Sequence, residues 1–181
     1  MKKINVRALQ KYIVFFYVYA FLGWIVDVSI CLVSDGVLTN RGFLYETICP
    51  MYGYAALVLI LLSKSKRING KGGFIKKMIL ATLWCSILEY LTAAVLWHLF
   101  HLKWWDYSNE PFNLQGRICL AASLFWGVLS VLFMKVLHPF VERQLKRISK
   151  KINPKIQSFI IWTAVAGTTI DTVLSIAIKY V

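Results

Sequence analysis

Three carboxylates, those of Asp27, Glu89 and Asp171, lie inside long apolar stretches of the chain. An ionisable residue near the centre of a membrane helix costs about 2.5 to 3.5 kcal/mol, so we expect each acid to face a neighbouring helix or a wet cavity. Carboxylates in such places bind cations, take up protons or act as general bases. The pattern predicts a site for an ion, a proton or a polar substrate within a membrane.

Each of these acids also lies on a stripe of small or polar residues that recur at steps of three and four. Small residues let helix backbones approach closely, so the stripes predict the packed helix faces and an interior on which the three acids converge. A similar line on the fourth span contains Ser123, Gly127 and Ser130. The three stripes are Ala20, Gly23, Asp27, Cys31 and Ser34; Thr82, Ser86, Glu89 and Ala93; and Ala164, Gly167, Thr168, Asp171 and Ser175.

A buried acid cluster needs counter-charges, and Arg41 and Arg117 are the candidates. We expect an outward-facing polar cavity lined by these arginines and the three acids, with Glu46, Asp106 and Asn113 as further candidates for binding a substrate or ion. The alternative is a set of buried ion pairs that only fix the register of the helices.

The elements that must position these residues follow from composition. The 181 residues are 59% hydrophobic and 16% charged, which excludes a soluble enzyme and indicates an all-α integral membrane protein. Five apolar runs are long enough to span a bilayer, and we treat residues 1–181 as a single transmembrane domain. The predicted spans are residues 12–33, 43–62, 78–100, 118–137 and 156–178.

The net charge of +13 indicates orientation rather than nucleic acid binding. Seventeen of the 21 lysines and arginines fall on one side if the spans alternate. The positive-inside rule then predicts a multi-pass protein of the cell membrane with a cytoplasmic N-terminus and a C-terminus outside. The first span is too long for a signal peptide and shows no cleavage site, so we expect it to be retained.

Residues 139–153 predict a cytoplasmic amphipathic helix, because Val141, Leu145 and Ile148 recur at helical spacing opposite a basic face. Such a helix would bind anionic lipids of the inner leaflet or dock a cytoplasmic partner. Asn153 and Pro154 are typical of the N-cap and first turn of the last span.

Two segments that we expect on the outer side of the membrane refine the expected site. Pro50 lacks an amide hydrogen and predicts a broken second helix, as is common where backbone lines a transporter site. Residues 104–117 are too polar to span and unusually aromatic. We expect them to form an aromatic hairpin that either anchors the protein at the interface or covers the cavity as a lid.

Motifs for common chemistries are absent from the sequence. It has neither GxxxxGK[ST] nor HExxH nor a serine nucleophile elbow, which disfavours an enzyme that hydrolyses nucleotides or esters. The four cysteines are scattered, so we expect no metal site and no cofactor.

A series of short motifs follows in order along the chain: GW at 23–24 with Asp27, NRGFL at 40–44, PMYG at 50–53, WDYS at 105–108, PFN at 111–113, GRI at 116–118 and WG at 126–127. Over about residues 17–137 these motifs resemble those of the ABC-transporter type IV, or CmpB-like, family of multi-span membrane proteins. The resemblance implies a membrane component of a transporter, without assigned site residues. The family motifs overlap the candidate site at Asp27, Arg41, Asp106 and Arg117. The sequence departs from the family pattern at Asp27, usually Glu, and at Glu46-Thr47, usually Gly-Pro.

Three functions are compatible with these observations. The first is a permease or membrane subunit of a transport system, energised by a separate ATPase subunit or an ion gradient. The second is a lipid-binding protein or small membrane enzyme, in which Arg41 and Arg117 hold an anionic headgroup and Asp27 or Glu89 acts as base. The third is a structural subunit. A homo-oligomer is compatible with all three.

Overall fold

The computed structural model describes residues 6–36, 43–65 and 73–180, so Arg41 lies outside the described residues. Within those ranges the chain is helical apart from its connections, and the β-structure is confined to an isolated bridge between Leu114 and Ile118. The α-helices are α1 Val6–Asp35, α2 Pro50–Lys64, α3 Gly73–Phe100, α4 Leu120–Leu132, α5 His138–Ser149 and α6 Pro154–Leu174, with π-helical segments at Phe133–Leu137 and Ser175–Tyr180.

Four helical stretches are long and apolar enough to cross a membrane, which confirms the all-α membrane fold. Along α3, the side chains of Leu83, Ile87 and Leu91 remain about half exposed, as expected of a surface that faces lipid. The four stretches are Val6–Val33, Gly73–Phe100, Leu120–Ser149 and Pro154–Ile178.

The second predicted span differs from the prediction at its start. Residues 43–49 are not helical, and α2 begins at Pro50 instead of being interrupted there. Proline suits the first helical turn, where its missing amide hydrogen would have had no partner. The preceding amide, of Cys49, donates to the carbonyl of Ala20 at 2.9 Å, so the non-helical segment is tied to α1.

The predicted amphipathic helix is present as α5, which continues α4 through the π-helical turn Phe133–Leu137. In a regular α-helix the ring of Pro139 would crowd the carbonyl of Lys135. The wider π turn lies at that position and accommodates the proline. Asn153 does cap α6, since its side-chain oxygen accepts from the amide of Lys155 at 2.9 Å.

The chain divides into two compact units. The first comprises Met1–Leu57 with Leu145–Val181, and the second comprises Val58–Gln144. In the first unit, α1 is joined to α6 by hydrogen bonds from Gln10 to Ser158 at 2.6 Å and from Tyr17 to Thr168 at 3.1 Å.

In the second unit, α3 and α4 pack through the small-residue stripes that the sequence predicts. The Ser86 hydroxyl donates to the Ser123 hydroxyl at 2.8 Å, and Cys85 Sγ lies 3.4 Å from Ser130 Oγ. Gly127 lies directly against the Thr82 hydroxyl, where a Cβ would overlap it. The stripes therefore mark the closest approach of these two helices.

Candidate functional site

In the first unit, Asp27 contacts the hydroxyl of Tyr52, a residue in the first turn of α2. The Tyr52 hydroxyl donates to Asp27 Oδ1 at 2.5 Å, and the Cys49 thiol is a second donor to this carboxylate. Gly23, one turn earlier on α1, makes room for the tyrosine, because a Cβ there would overlap the ring. Gly23 thus makes space for the ring of Tyr52, and Asp27 accepts the hydrogen bond of its hydroxyl.

Asp171 holds the non-helical segment that precedes α2. Its Oδ1 accepts from the amide of Tyr45 at 3.1 Å, and its Oδ2 accepts from the amide of Glu46 at 2.8 Å. Ser175, one turn later on α6, donates to Oδ1 at 3.3 Å. Asp171 is only 8% exposed. It therefore replaces the backbone acceptors that a continuous helix would have supplied to these amides.

The segment held by Asp171 presents Glu46 to a hydroxyl relay. Tyr17 donates to the hydroxyl of Thr168 at 3.1 Å, which in turn donates to Glu46 Oε2 at 2.8 Å. The other oxygen, Oε1, lies against Gly167, where a Cβ would approach to 3.4 Å. Within the described residues Oε1 accepts no hydrogen bond, so it is available to a cation or a substrate donor.

In the second unit, the acid is Glu89 of α3, which is 5% exposed. Its Oε1 accepts from the Tyr107 hydroxyl at 3.0 Å, and the indole of Trp126 interacts with the same carboxylate. Oε2 is buried and has no hydrogen bond of good geometry in the described structure. Burial, followed by the charge of Glu89, raises the pKa of the Tyr107 hydroxyl above its usual range, so this tyrosine stays protonated as a donor.

Tyr107 belongs to the aromatic hairpin, which in the structure lies within the non-helical residues 101–119 and is fixed by its own polar residues. Asp106 accepts from Lys103 and from the amide and hydroxyl of Ser108, at 2.5, 2.9 and 2.5 Å. Gly116, at φ 65°, lies so close to Ser108 and Asp106 that a side chain would overlap them. The hydrogen bonds to Asp106 lower its pKa to about 2, Lys103 contributing most.

Asn113 closes the hairpin. Its amide nitrogen donates to the carbonyls of Ser108 and Glu110 at 3.1 and 2.9 Å, and its side-chain oxygen accepts from the amide of Gly116 at 3.1 Å. Asp106 and Asn113, two predicted binding residues, therefore hold the hairpin together, and through it they position Tyr107 on Glu89.

Arg117, at the end of the hairpin, contacts uncharged side chains and a histidine. Its Nη1 donates to the Tyr90 hydroxyl at 3.1 Å and to Gln115 Oε1 at 2.9 Å, and its Nη2 lies 3.5 Å from His98 Nε2. The guanidinium also lies over the Tyr90 ring, 5.2 Å from its centroid. None of its contacts within the described residues is with a carboxylate.

A second basic cluster lies in the same unit, around a cavity of about 280 Å³. Lys77 donates to the carbonyl of Ser63 at 3.0 Å, and Lys135 lies over the ring of Phe74, 4.3 Å from its centroid. Both lysines line the cavity, so the arrangement suits an anionic group.

Several predicted residues are thus brought together. In the first unit, the carboxylate of Asp171 accepts from the backbone amide of Glu46. In the hairpin, Asp106 and Asn113 both form hydrogen bonds with Ser108. That Asp27, Glu89 and Asp171 converge on one cavity stays a prediction. The tyrosines were not predicted from the sequence: Tyr17, Tyr52 and Tyr107 each contribute a hydroxyl to an acid or its relay. The position of Tyr52 within PMYG and of Tyr107 within WDYS was the available signal.

Comparison with family models gives a match over residues 14–176 to the family described as putative ABC-transporter type IV. The match covers most of α1 to α6, including every described candidate residue. No solved structure matches the chain.

Proposed function

The chain belongs to the putative ABC-transporter type IV family, and from that premise we propose that it is a permease or membrane subunit of a transport system whose intramembrane acids bind the substrate or a coupling ion. The observation that carries the proposal is the non-helical segment before α2. Its amides are held by Asp171, and it presents Glu46 with an oxygen that has no partner in the described structure. Interrupted helices that line polar sites are typical of transporters.

Glu46 and Asp27 are the binding groups we propose in the first unit, and Asp171 supports the segment that carries Glu46. Asp27 accepts from the Tyr52 hydroxyl and Glu46 from the Thr168 hydroxyl, so each acid can exchange this donor for an incoming cation or protonated group without leaving a buried charge unpaired. Glu89 is the binding group we propose in the second unit, because one of its carboxylate oxygens lacks a good hydrogen bond.

Uptake by membrane vesicles tests the proposal. Vesicles from cells with and without the chain are incubated with an isotope-labelled metabolite extract and ATP, and accumulated compounds are measured by mass spectrometry. We expect at least one compound to accumulate only with the chain. Asp27→Asn and Glu89→Gln should reduce its uptake about tenfold or more, as expected when a charged binding group is lost.

Glu110→Gln is the matched control, because it makes the same chemical change on an exposed residue of the hairpin. Uptake by that variant should equal that of the unchanged protein. Unchanged uptake in Asp27→Asn and Glu89→Gln, together with a lower thermal midpoint, would refute the transport role of the acids and favour the structural alternative.

The basic face of α5 is the surface we propose for a separate ATPase subunit. Lys146, Arg147 and Lys150 are exposed there or directly after it. Reversing all three charges should abolish ATP hydrolysis that co-purifies with the tagged chain while leaving membrane insertion intact. Retention of that hydrolysis would exclude this surface.

The topology we propose has a cytoplasmic N-terminus and an external C-terminus, and it depends on α2. Its 15 residues measure about 22 Å, which is shorter than the hydrocarbon core of about 30 Å. Residues 43–49 provide the remaining reach if α2 crosses. Labelling a cysteine added after Val181 with a membrane-impermeant reagent decides the point: labelling of intact cells indicates five spans, whereas protection indicates four.

A further inference from the structure

A cavity of about 230 Å³ lies between the end of α3 and the aromatic hairpin, within the second unit. Trp97, Trp104 and Trp105 contribute to its wall, and the cationic residues that line it are Lys103 and Arg117. Indole rings provide apolar contact at little entropic cost, and guanidinium groups bind oxyanions. The combination suits a ligand with an anionic group attached to an apolar body.

The hydrogen bonds of Arg117 leave its oxyanion-binding edge available. A guanidinium has five N–H donors, and both donors of Nη1 are used by Tyr90 and Gln115. Nη2 has only the long contact with His98, at 3.5 Å. Among the described residues nothing accepts from Nε. The hydrogens of Nε and Nη2 point the same way and form the pair that grips two oxygens of one phosphate or carboxylate.

The charge of Arg117 is also the one that the cavity leaves uncompensated. Lys103 is paired with Asp106 at 2.5 Å, whereas the contacts of Arg117 are with Tyr90, Gln115 and His98. A partly buried cation without an acidic partner favours an anion from outside the protein.

The hairpin holds this arginine in place before any ligand arrives. The Trp105 indole donates to the Arg117 carbonyl at 2.9 Å, and the Arg117 amide donates to the Leu114 carbonyl at 3.0 Å. The Tyr90 ring supports the guanidinium from one face. Such support reduces the ordering cost of binding.

We propose that the cavity binds a phosphate group, gripped by Nε and Nη2 of Arg117, with the apolar part of the ligand against Trp97 and Trp104. A phospholipid headgroup and a soluble organic phosphate share this chemistry. The cavity lies at the end of the membrane-spanning helix α3, where tryptophans meet lipid headgroups, which favours the phospholipid. The site is independent of transport activity, since a bound lipid requires no movement of substrate.

Binding measurements on the purified full chain in a neutral detergent test this site. The probes are dihexanoyl phosphatidylglycerol, glycerol 3-phosphate and inorganic phosphate. We expect saturable binding of the short-chain lipid. Arg117→Gln should weaken it about tenfold or more, because a charged hydrogen-bond pair is lost. Arg117→Lys should weaken it similarly, since an ammonium group cannot grip two oxygens side-on.

Arg7→Gln is the matched control: it removes the same charge from an exposed arginine at the start of α1. Wild-type affinity in this variant supports the site. Equal weakening by Arg7→Gln and Arg117→Gln would overturn it, because binding would then be diffuse charge attraction. Glycerol 3-phosphate binding as tightly as the lipid, with the same dependence on Arg117, would support the phosphate site with a soluble ligand.

Circular dichroism and gel filtration establish whether each variant folds. Arg117→Lys keeps the charge and decides the question if Arg117→Gln does not fold. Wild-type lipid affinity in a folded Arg117→Lys protein would overturn the bidentate grip.

Discussion

Asp171 in the first unit and Glu89 in the second are both buried carboxylates of membrane-spanning helices, yet their hydrogen bonding differs. Asp171 accepts from two successive backbone amides and from Ser175. Glu89 accepts from one tyrosine, and its second oxygen lacks a good hydrogen bond. The difference indicates that Asp171 fixes the backbone, whereas the second oxygen of Glu89 is the atom that our proposal assigns to a ligand. An acid within a span therefore has to be judged by its donors as well as by its depth.

The largest expected effect is that of Asp171→Ala. It leaves the amides of Tyr45 and Glu46 without an acceptor, and each orphaned amide costs about 1 to 3 kcal/mol. We expect the free energy of unfolding in detergent to fall by about 3 kcal/mol or more. Thr172→Ala, which removes a hydroxyl bonded within the same helix, is the control and should cost about 1 kcal/mol or less. A similar small loss for both variants would contradict the backbone-holding role of Asp171.

Gly23→Ala should have the next largest effect. The added methyl group overlaps the Tyr52 ring and displaces the hydroxyl from Asp27, at an expected cost of about 2 kcal/mol. Tyr52→Phe keeps the ring and removes only the hydrogen bond, so it should cost about 1 kcal/mol. Thermal unfolding of both variants measures the difference. Equal stability of Gly23→Ala and the unchanged protein would show that the ring does not pack on this glycine.

Glu89→Gln should change stability little, by less than about 1 kcal/mol, because the carboxylate makes only one good hydrogen bond. The variant keeps an acceptor for Tyr107, so the hairpin should remain in place. Denaturant unfolding in detergent measures this. A loss as large as that of Asp171→Ala would end the distinction between the two acids.

The smallest effect concerns Asp106, which is exposed. Its pKa is lowered to about 2, chiefly by Lys103, so the ionised form is favoured in the folded hairpin. Its contribution to stability is therefore present above the ordinary pKa of about 3.9 and is lost as the pH falls through about 2. Amide hydrogen exchange at Ser108 and Gly116 should accelerate across this interval. Asp106→Asn should show no such acceleration, and its presence there would assign the effect to another group.

The sequence predicted the helices and their packed faces well because both follow from periodic patterns. Ser86, Ser123 and Gly127 lie at the contact of α3 with α4, where small residues at helical spacing placed them. The predicted start of the second span was wrong because residues 43–49 are apolar enough to be helical. Only the tertiary contact with Asp171 shows how the amides of Tyr45 and Glu46 find an acceptor without a helix.

The partners of the acids were less predictable. Charge pairing suggested arginines, whereas the described contacts of Asp27 and Glu89 include tyrosine hydroxyls. A tyrosine can satisfy a buried carboxylate without adding a second buried charge, and nothing in its spacing along the chain distinguishes it from a core aromatic residue. The roles of Asp106 and Asn113 in closing the hairpin likewise depend on turns with positive φ at Phe112, Gln115 and Gly116.

The π-helical turn at Phe133–Leu137 sets the angular phase of everything that follows it in the same helix. The His138 amide donates to the carbonyl of Phe133, five residues earlier, so the turn holds one residue more than an α-helical turn. If the same residues formed a regular α-helix throughout, the basic face of α5 would be rotated by about 100° about the helix axis. Deleting one residue of the turn would remove the extra residue, so the charges of Lys146 and Arg147 would face the same way relative to α4.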